Sequence, residues 1–186
     1  MSVYTQLSLT DIQRFAQQYS LEIVSCQPIQ SGIENSNYFV QNTDGREFVL
    51  TLFEELNAEE AAFLAPLLQH LQHAGLSVAA PLTANNGQSL LTLNDKPAQL
   101  APRIIGTHPQ PVTVAQCTAM GHALATLHLA LKKYPLKRLN AHGQKWWQTE
   151  AKKARAKMTA IEQLLLDTVL DDFEETIEDF DDLPKG

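Results

Sequence analysis

The chain has 186 residues, 44% of them hydrophobic, enough for one ample domain or two small lobes with an ordinary core. No apolar run approaches the roughly 18 residues that span a bilayer. The opening MSVYTQLSLT has no basic-then-apolar signal pattern, and Cys26 and Cys117 form no CxxC, which argues against a disulfide framework or zinc site and for a reducing cytoplasm. The net charge of −7 is local: residues 171–182 hold eight acids, and without them and Lys185 there remain 13 acids against 13 bases, a body without the basic excess that nucleic-acid binding needs.

Thr10-Asp11-Ile12-Gln13 is a capping-box pattern with Thr10 as N-cap, predicting a short helix to about Tyr19. Leu21 to Pro28 reads as a strand. Tyr38 to Gln41 and Glu47 to Phe53 are β-prone runs joined across Asn42-Thr43-Asp44-Gly45, whose Asp-Gly pair supplies the positive φ angles of a tight hairpin turn. From Ala58 to Ala74 the pattern turns helical, with Phe63, Leu64, Leu67, Leu68 and Leu71 at spacings of three and four. Gly75 is a good stop, and Pro66 either kinks this helix or marks a later start for its regular part. Two strands follow, Ser89 to Leu93 and Pro97 to Ile104, linked by Asn94-Asp95 and preceded by a turn at Asn86-Gly87. Five strands with one helix inserted after the third give an α+β lobe with an antiparallel sheet, not a doubly wound one.

After Gly106 the chain reads as helical. Thr113 with Gln116 forms a second capping box, and Met120, Leu124, Leu127 and Leu131 line one face of the helix that follows. Asn140 to Gly143 reads as a loop and Trp146 to about Leu170 as one long helix. The change from sheet to helix near Thr107–Pro111 divides the chain into lobes 1–106 and 107–186. The basic stretch from Lys132 to Lys157, nine Lys and Arg against Glu150 alone, reads as a solvated helix face. Phe173, Ile177 and Phe180 make the acidic end an amphipathic helix, not a disordered tail.

Gln30 to Tyr38 is a small, polar segment between strands. Such a turn can lay backbone N–H groups over phosphate oxygens, and it serves equally as an ordinary hairpin loop. In Phe48-Val49-Leu50-Thr51-Leu52, Thr51 stands where a protein kinase's V-A-I-K run carries its phosphate-pairing Lys. A hydroxyl cannot neutralise phosphate charge, and Thr51 is also an ordinary β-branched strand residue. Glu59 and Glu60 open the helix that would carry a kinase's structural Glu, but without a Lys at position 51 the helix dipole explains them. Arg103-Ile104-Ile105-Gly106 is either an inter-lobe hinge or a plain linker. His128 reads as a hydrogen-bonded core residue, and His70 with His73 has no third ligand nearby. No GxSxG, HExxH, GxxxxGK[ST], H-x-D-x-x-x-x-N or D-F-G occurs.

The chain resembles the homoserine kinases of the aminoglycoside phosphotransferase-like superfamily, from residue 1 to 186. The carrying residues are Met1 to Thr5, Gly32 to Val40, Phe48-Val49-Leu50-Thr51-Leu52-Phe53-Glu54, Gly75 to Val78 with Pro81-Leu82, Lys96-Pro97-Ala98 with Gly106, Leu124 to His128, and Asn140 to Trp147. The resemblance implies a bilobal kinase-like fold that transfers the γ-phosphate of ATP, with magnesium, to the homoserine hydroxyl, a step toward threonine. It implies that Gly32, Asn35, Ser36 and Asn37 cover the phosphates, that Thr51 takes the lysine position, and that Pro102, Arg103, Ile104 and Ile105 contact adenine. In the family, the Leu-Pro-x-G of Leu183–Gly186 leads into the catalytic loop and a metal-binding Asp. The expectation is therefore a nucleotide-holding half without catalytic or magnesium-binding residues, inactive alone, with ATP and homoserine as the partners of the whole. Two other readings stay open: a kinase of another small alcohol, such as an amino alcohol or a sugar, and a non-catalytic module that docks through the acidic amphipathic end.

Overall fold

The computed structural model describes residues 5–30, 32–132, 134–135 and 142–181, with the backbone alone at 144 and 175–181. They form two compact units that divide after Tyr134. In the first unit, α1 (Leu9–Ala16) and a 3-10 turn (Gln17–Tyr19) precede β1 (Ile23–Pro28), β2 (Asn35–Asn42) and β3 (Glu47–Phe53). Then come α2 (Ala58–Ala62), α3 (Leu64–His73), β4 (Leu91–Leu93), β5 (Lys96–Pro102) and α4 (Val114–Leu131). The five strands lie in the order β1-β2-β3-β5-β4 with every neighbouring pair antiparallel. The architecture is the expected α+β one.

Ser8, not Thr10, caps α1: its Oγ accepts from the Asp11 N–H at 3.1 Å while the Asp11 carboxylate accepts from the Ser8 N–H at 3.0 Å. Gln13 is then free to donate to the Ile23 carbonyl at 2.8 Å, tying the helix to β1. This start turns Ile12, Phe15 and Ala16 inward against Tyr38, Val40, Phe48, Leu50, Leu52 and Leu100, the core of the unit. Residues opposite one another across the strands share a face, so these side chains line one side of the sheet.

The two hairpins use different turns. At Asn42–Gly45 only Gly45 takes a positive φ, +78°, and its N–H donates to the Asn42 carbonyl at 3.0 Å. Asp44 keeps an ordinary conformation, so the pair supplies one left-handed residue where two were expected. Between β4 and β5, Asn94 and Asp95 both take positive φ, +50° and +61°, the pattern of a tight two-residue turn. The predicted helix from Ala58 breaks at Phe63, and Pro66 sits in the first turn of α3, where no helical hydrogen bond is lost to it. Gly75, at φ +88°, ends α3.

Helix α4 starts at Thr113, whose hydroxyl accepts from Gln116 N–H at 3.3 Å, as the capping box requires. None of its residues is buried: Met120 is 69% and Leu124 50% exposed. His128 is exposed as well, and so is not the core residue its apolar neighbours suggested. His70 ties α3 to α4 through Nε2 and the Ala130 carbonyl, 2.9 Å apart.

The second unit contains two helices where periodicity predicted one: α5 (Gln144–Arg155) and α6 (Ala160–Asp181). Thr159 causes the break. Its N–H and hydroxyl donate to the Glu162 carboxylate at 2.7 and 2.8 Å, and its Oγ1 accepts from the Glu162 N–H at 3.4 Å. A side chain that captures the backbone in this way starts a new helix. The Trp147 ring meets Phe173 edge-on at 4.7 Å, Lys153 pairs with Glu150 at 2.6 Å, and Arg155 pairs with Asp167. The acidic end is helical to Asp181. The side chains of Ile177 and Phe180, residues 1–4, Ser31, Asn140 and 182–186 lie outside the described residues.

Candidate functional site

The sheet has a second face, and on it Asn37 and Thr51, two of the residues named from sequence, meet. Register places Asn37, Thr51 and Gln99 opposite one another across β2, β3 and β5. Phe39, Val49 and Ala101 form the adjacent row. The first row is polar and the second apolar, about 7 Å apart along the strands. Thr51 Oγ1 donates to Asn37 Oδ1 at 2.8 Å, and Asn37 Nδ2 donates to the Asn35 carbonyl at 3.3 Å. Thr51 thus keeps the lysine's position but is a neutral hydroxyl committed to its neighbour.

Gln99 went unnoticed in the sequence because only strand register reveals which face it occupies. It is 8% exposed, and its Oε1 is buried without a hydrogen-bond partner among the described residues. A buried carbonyl left so costs about 1–3 kcal/mol.

Ser36, by contrast, points to the core face and is wholly buried. Its Oγ accepts from the Thr5 N–H at 2.9 Å and donates to Glu54. Its hydroxyl belongs to the scaffold, and only its backbone faces the loop. Gly32 takes φ +112° in the segment before β2, and the Ile29 N–H donates to the Asn37 carbonyl at 2.8 Å to close the base of that loop.

The linker after β5 begins at Arg103, whose guanidinium lies 3.9 Å over the Phe39 ring and donates to Glu47 at 3.0 Å. Its N–H donates to the Glu47 carbonyl at 3.0 Å, which extends the ladder one step beyond Pro102. Ile104 and Ile105 are 53% and 74% exposed.

Glu54 and Lys96 form an ion pair that sequence spacing could not reveal, since Glu54 follows the end of β3 and Lys96 opens β5. Glu54 accepts from Lys96, Ser36, the Thr5 N–H at 3.1 Å and the Thr5 hydroxyl at 3.1 Å; its side chain is 8% exposed. Lys96 also reaches Thr5 Oγ1 at 2.8 Å. Burial alone raises the Glu54 pKa, but hydrogen bonds from Lys96, Ser36 and Thr5, with the Lys96 charge, outweigh it and hold the carboxyl below the ordinary glutamate range. Tyr38 completes the clamp, donating to the Thr5 carbonyl at 2.7 Å and accepting from the Leu7 N–H at 3.1 Å.

Glu60 closes a capping box with Asn57, both bonds at 3.0 Å, so its carboxylate serves the start of α2. Among the described residues no group of three or more His, Cys, Asp and Glu side chains could hold a metal ion. No described helix is long and apolar enough to cross a membrane.

Residues 25–185 match the model of the phosphotransferase enzyme family. The chain is 43% identical over 152 residues to a homoserine kinase of Neisseria meningitidis, covering 81% of this chain and 49% of that one. It is 34% identical over 176 residues to a homoserine kinase of Paramagnetospirillum magneticum, covering 94% and 54%. The chain therefore spans about half the length of these relatives. Among solved structures, an amicoumacin kinase in complex with AMP-PNP and Ca2+ superposes with a TM-score of 0.67 at 18% identity, covering 97% of this chain and 55% of that one. A spectinomycin phosphotransferase in complex with ADP gives 0.64 at 14%, covering 94% and 55%. These last two show a shared fold, and with the family match over most of its length the chain belongs to the phosphotransferase enzyme family.

Proposed function

We propose that this chain is the nucleotide-holding half of a cytoplasmic, ATP-dependent kinase that phosphorylates the hydroxyl of homoserine, a step toward threonine. The observation that carries the reading is the identity to homoserine kinases across most of the chain. The second face of the sheet offers Val49 and Ala101 as an apolar strip beside Phe39, whose ring the Arg103 guanidinium covers, next to the polar row of Asn37 and Thr51. Residues 1–106 form the nucleotide-binding lobe and 107–186 the beginning of a helical lobe.

In this reading the backbone from Gly32 to Asn37 covers the phosphates, and Pro102 to Ile105 holds the adenine through backbone groups. Thr51 and Asn37 orient the ligand without supplying charge. Ser36 fixes the base of the loop to Glu54 and Thr5, which limits the loop's freedom before a ligand arrives. Magnesium would supply the neutralisation of phosphate charge in such a transfer. The described residues do not fit a magnesium site, however, since they offer no converging set of ligands. No residue of the 186 stands in an H-x-D-x-x-x-x-N loop to orient the acceptor hydroxyl.

Calorimetric titration of the purified chain with Mg-ATP should give binding, and a transfer assay from ATP to homoserine should give no turnover. A version of the length of the relatives should phosphorylate homoserine in preference to amino alcohols and sugars. Absence of nucleotide binding by the chain, or preference of the long form for another acceptor, would overturn the proposal.

A further inference from the structure

We infer that Glu54 is a positioning residue for the bound phosphates: through Ser36 it holds the segment from Gly32 to Asn35 in shape before the nucleotide binds, a role that rests on the nucleotide reading above. Stability alone does not call for an ion pair here, since apolar groups of similar size in place of a buried pair often leave a fold equally stable or more so. The Glu54 side chain is nonetheless 8% exposed and accepts from three distant parts of the chain at once. Its donors are Lys96, the Ser36 hydroxyl, and the N–H and hydroxyl of Thr5, the last two at 3.1 Å. Such convergence fixes where each donor sits, and Ser36 stands at the foot of the loop.

Gly32, Ile33 and Glu34 are exposed, so burial does not set the shape of this segment. Its geometry must be fixed from its ends. Gly32 turns the chain with φ +112°, and the Ile29 N–H donates to the Asn37 carbonyl at 2.8 Å. Ser36 comes next after Asn35, as the second residue of β2, and its wholly buried hydroxyl ties the segment to the core face. The carboxylate that receives it is held in turn. Lys96 donates to Thr5 Oγ1 at 2.8 Å as well as to Glu54, and Tyr38 holds the Thr5 carbonyl at 2.7 Å. Backbone N–H groups meet phosphate oxygens best when arranged beforehand, because each residue ordered on binding subtracts from affinity. Cutting the contact between Ser36 and Glu54 therefore shifts that ordering onto the nucleotide.

The test uses the purified chain, Ser36→Ala, Glu54→Leu and the double variant, with Glu54→Gln in place of Glu54→Leu should that chain fold poorly. Mg-ATP affinity is measured by calorimetry at a temperature where circular dichroism shows every chain folded. Each single variant should bind about tenfold more weakly than wild type, the effect of leaving about one residue to be ordered on binding. The double variant should bind no more weakly than either single one, because both cut the same contact. Gly45→Ala, in the turn between β2 and β3, should lose stability yet keep wild-type affinity. Adenosine, followed through its competition with Mg-ATP, should bind wild type and variants alike, since the loop meets only phosphates. Wild-type affinity in Ser36→Ala, losses that multiply to about a hundredfold in the double variant, or an equal loss for adenosine would overturn the inference and leave the nucleotide reading standing. Failure of wild type to bind Mg-ATP would remove that reading and the inference with it.

Discussion

Replacing Glu54 with Gln tests how one end of the central strands is held. The carboxylate accepts from Ser36, Thr5 and Lys96 at once, in a site where it is 8% exposed. The amide introduced by Glu54→Gln would offer one acceptor oxygen in place of two and leave the Lys96 ammonium without its counter-charge. Removing one partner of a fully buried ion pair costs about 3–5 kcal/mol. Lys96 keeps 35% of its side-chain surface exposed, so water takes over part of its solvation. The expected loss is therefore about 2 kcal/mol. At this chain length, that lowers the melting temperature by about 4–8 °C. Urea unfolding followed by circular dichroism measures the loss directly, and a double-mutant cycle with Lys96→Met isolates the pair. The pH dependence provides a second check. Glu54 is held below the ordinary glutamate range. Its contribution is present above the unfolded-state value and is lost as pH falls through the folded-state value. Stability curves for wild type and Glu54→Gln should lie apart at neutral pH and converge in acid, below the ordinary glutamate range. A variant within about 0.5 kcal/mol of wild type at pH 7 would refute the reasoning, since that is the scatter of an ordinary surface substitution.

Leu50→Ala removes a fully buried side chain from the central strand β3 and should cost about 2–5 kcal/mol by urea unfolding, more than any other single change considered. Gly45→Ala meets open space but must hold φ near +78°, so it should cost about 1 kcal/mol of backbone strain, read by the same assay. Thr159→Ala removes the cap that starts α6 and should weaken that helix by about 1 kcal/mol, seen as faster amide exchange in its first turn while β3 keeps its protection.

The strands were legible in the sequence because alternation and Gly or Asn punctuation are local signals, although the Asn42–Gly45 turn takes one left-handed residue and not two. Glu47–Phe53 has the bounds read from its residues, and Asn94-Asp95 makes the turn its composition suggested. Boundaries failed where two local patterns competed. Ser8 with Asp11 and Thr10 with Gln13 are overlapping capping boxes, and burial of Ile12 and Phe15 decided between them. Thr159 with Glu162 is a visible cap, but the continuous apolar periodicity on either side hid it. The site depended on information that is not local at all. Ser36 looks like any loop serine until its pairing opposite Leu52 assigns it to the core face. Glu54 and Lys96 meet only because β3 and β5 are neighbours, and Gln99 falls beside Thr51 for the same reason.

The alternation of faces in β2, β3 and β5 has an evolutionary consequence. One set of positions carries the mechanical burden of holding the domain together, while the interleaved set is relieved of it. On the proposed nucleotide reading, substitutions at 37, 49 or 51 would alter the ligand-facing side, whereas changes at 38, 50 or 100 reach the buried core. Such a partition lets one framework diversify its chemistry by drifting along alternate residues of the same three strands.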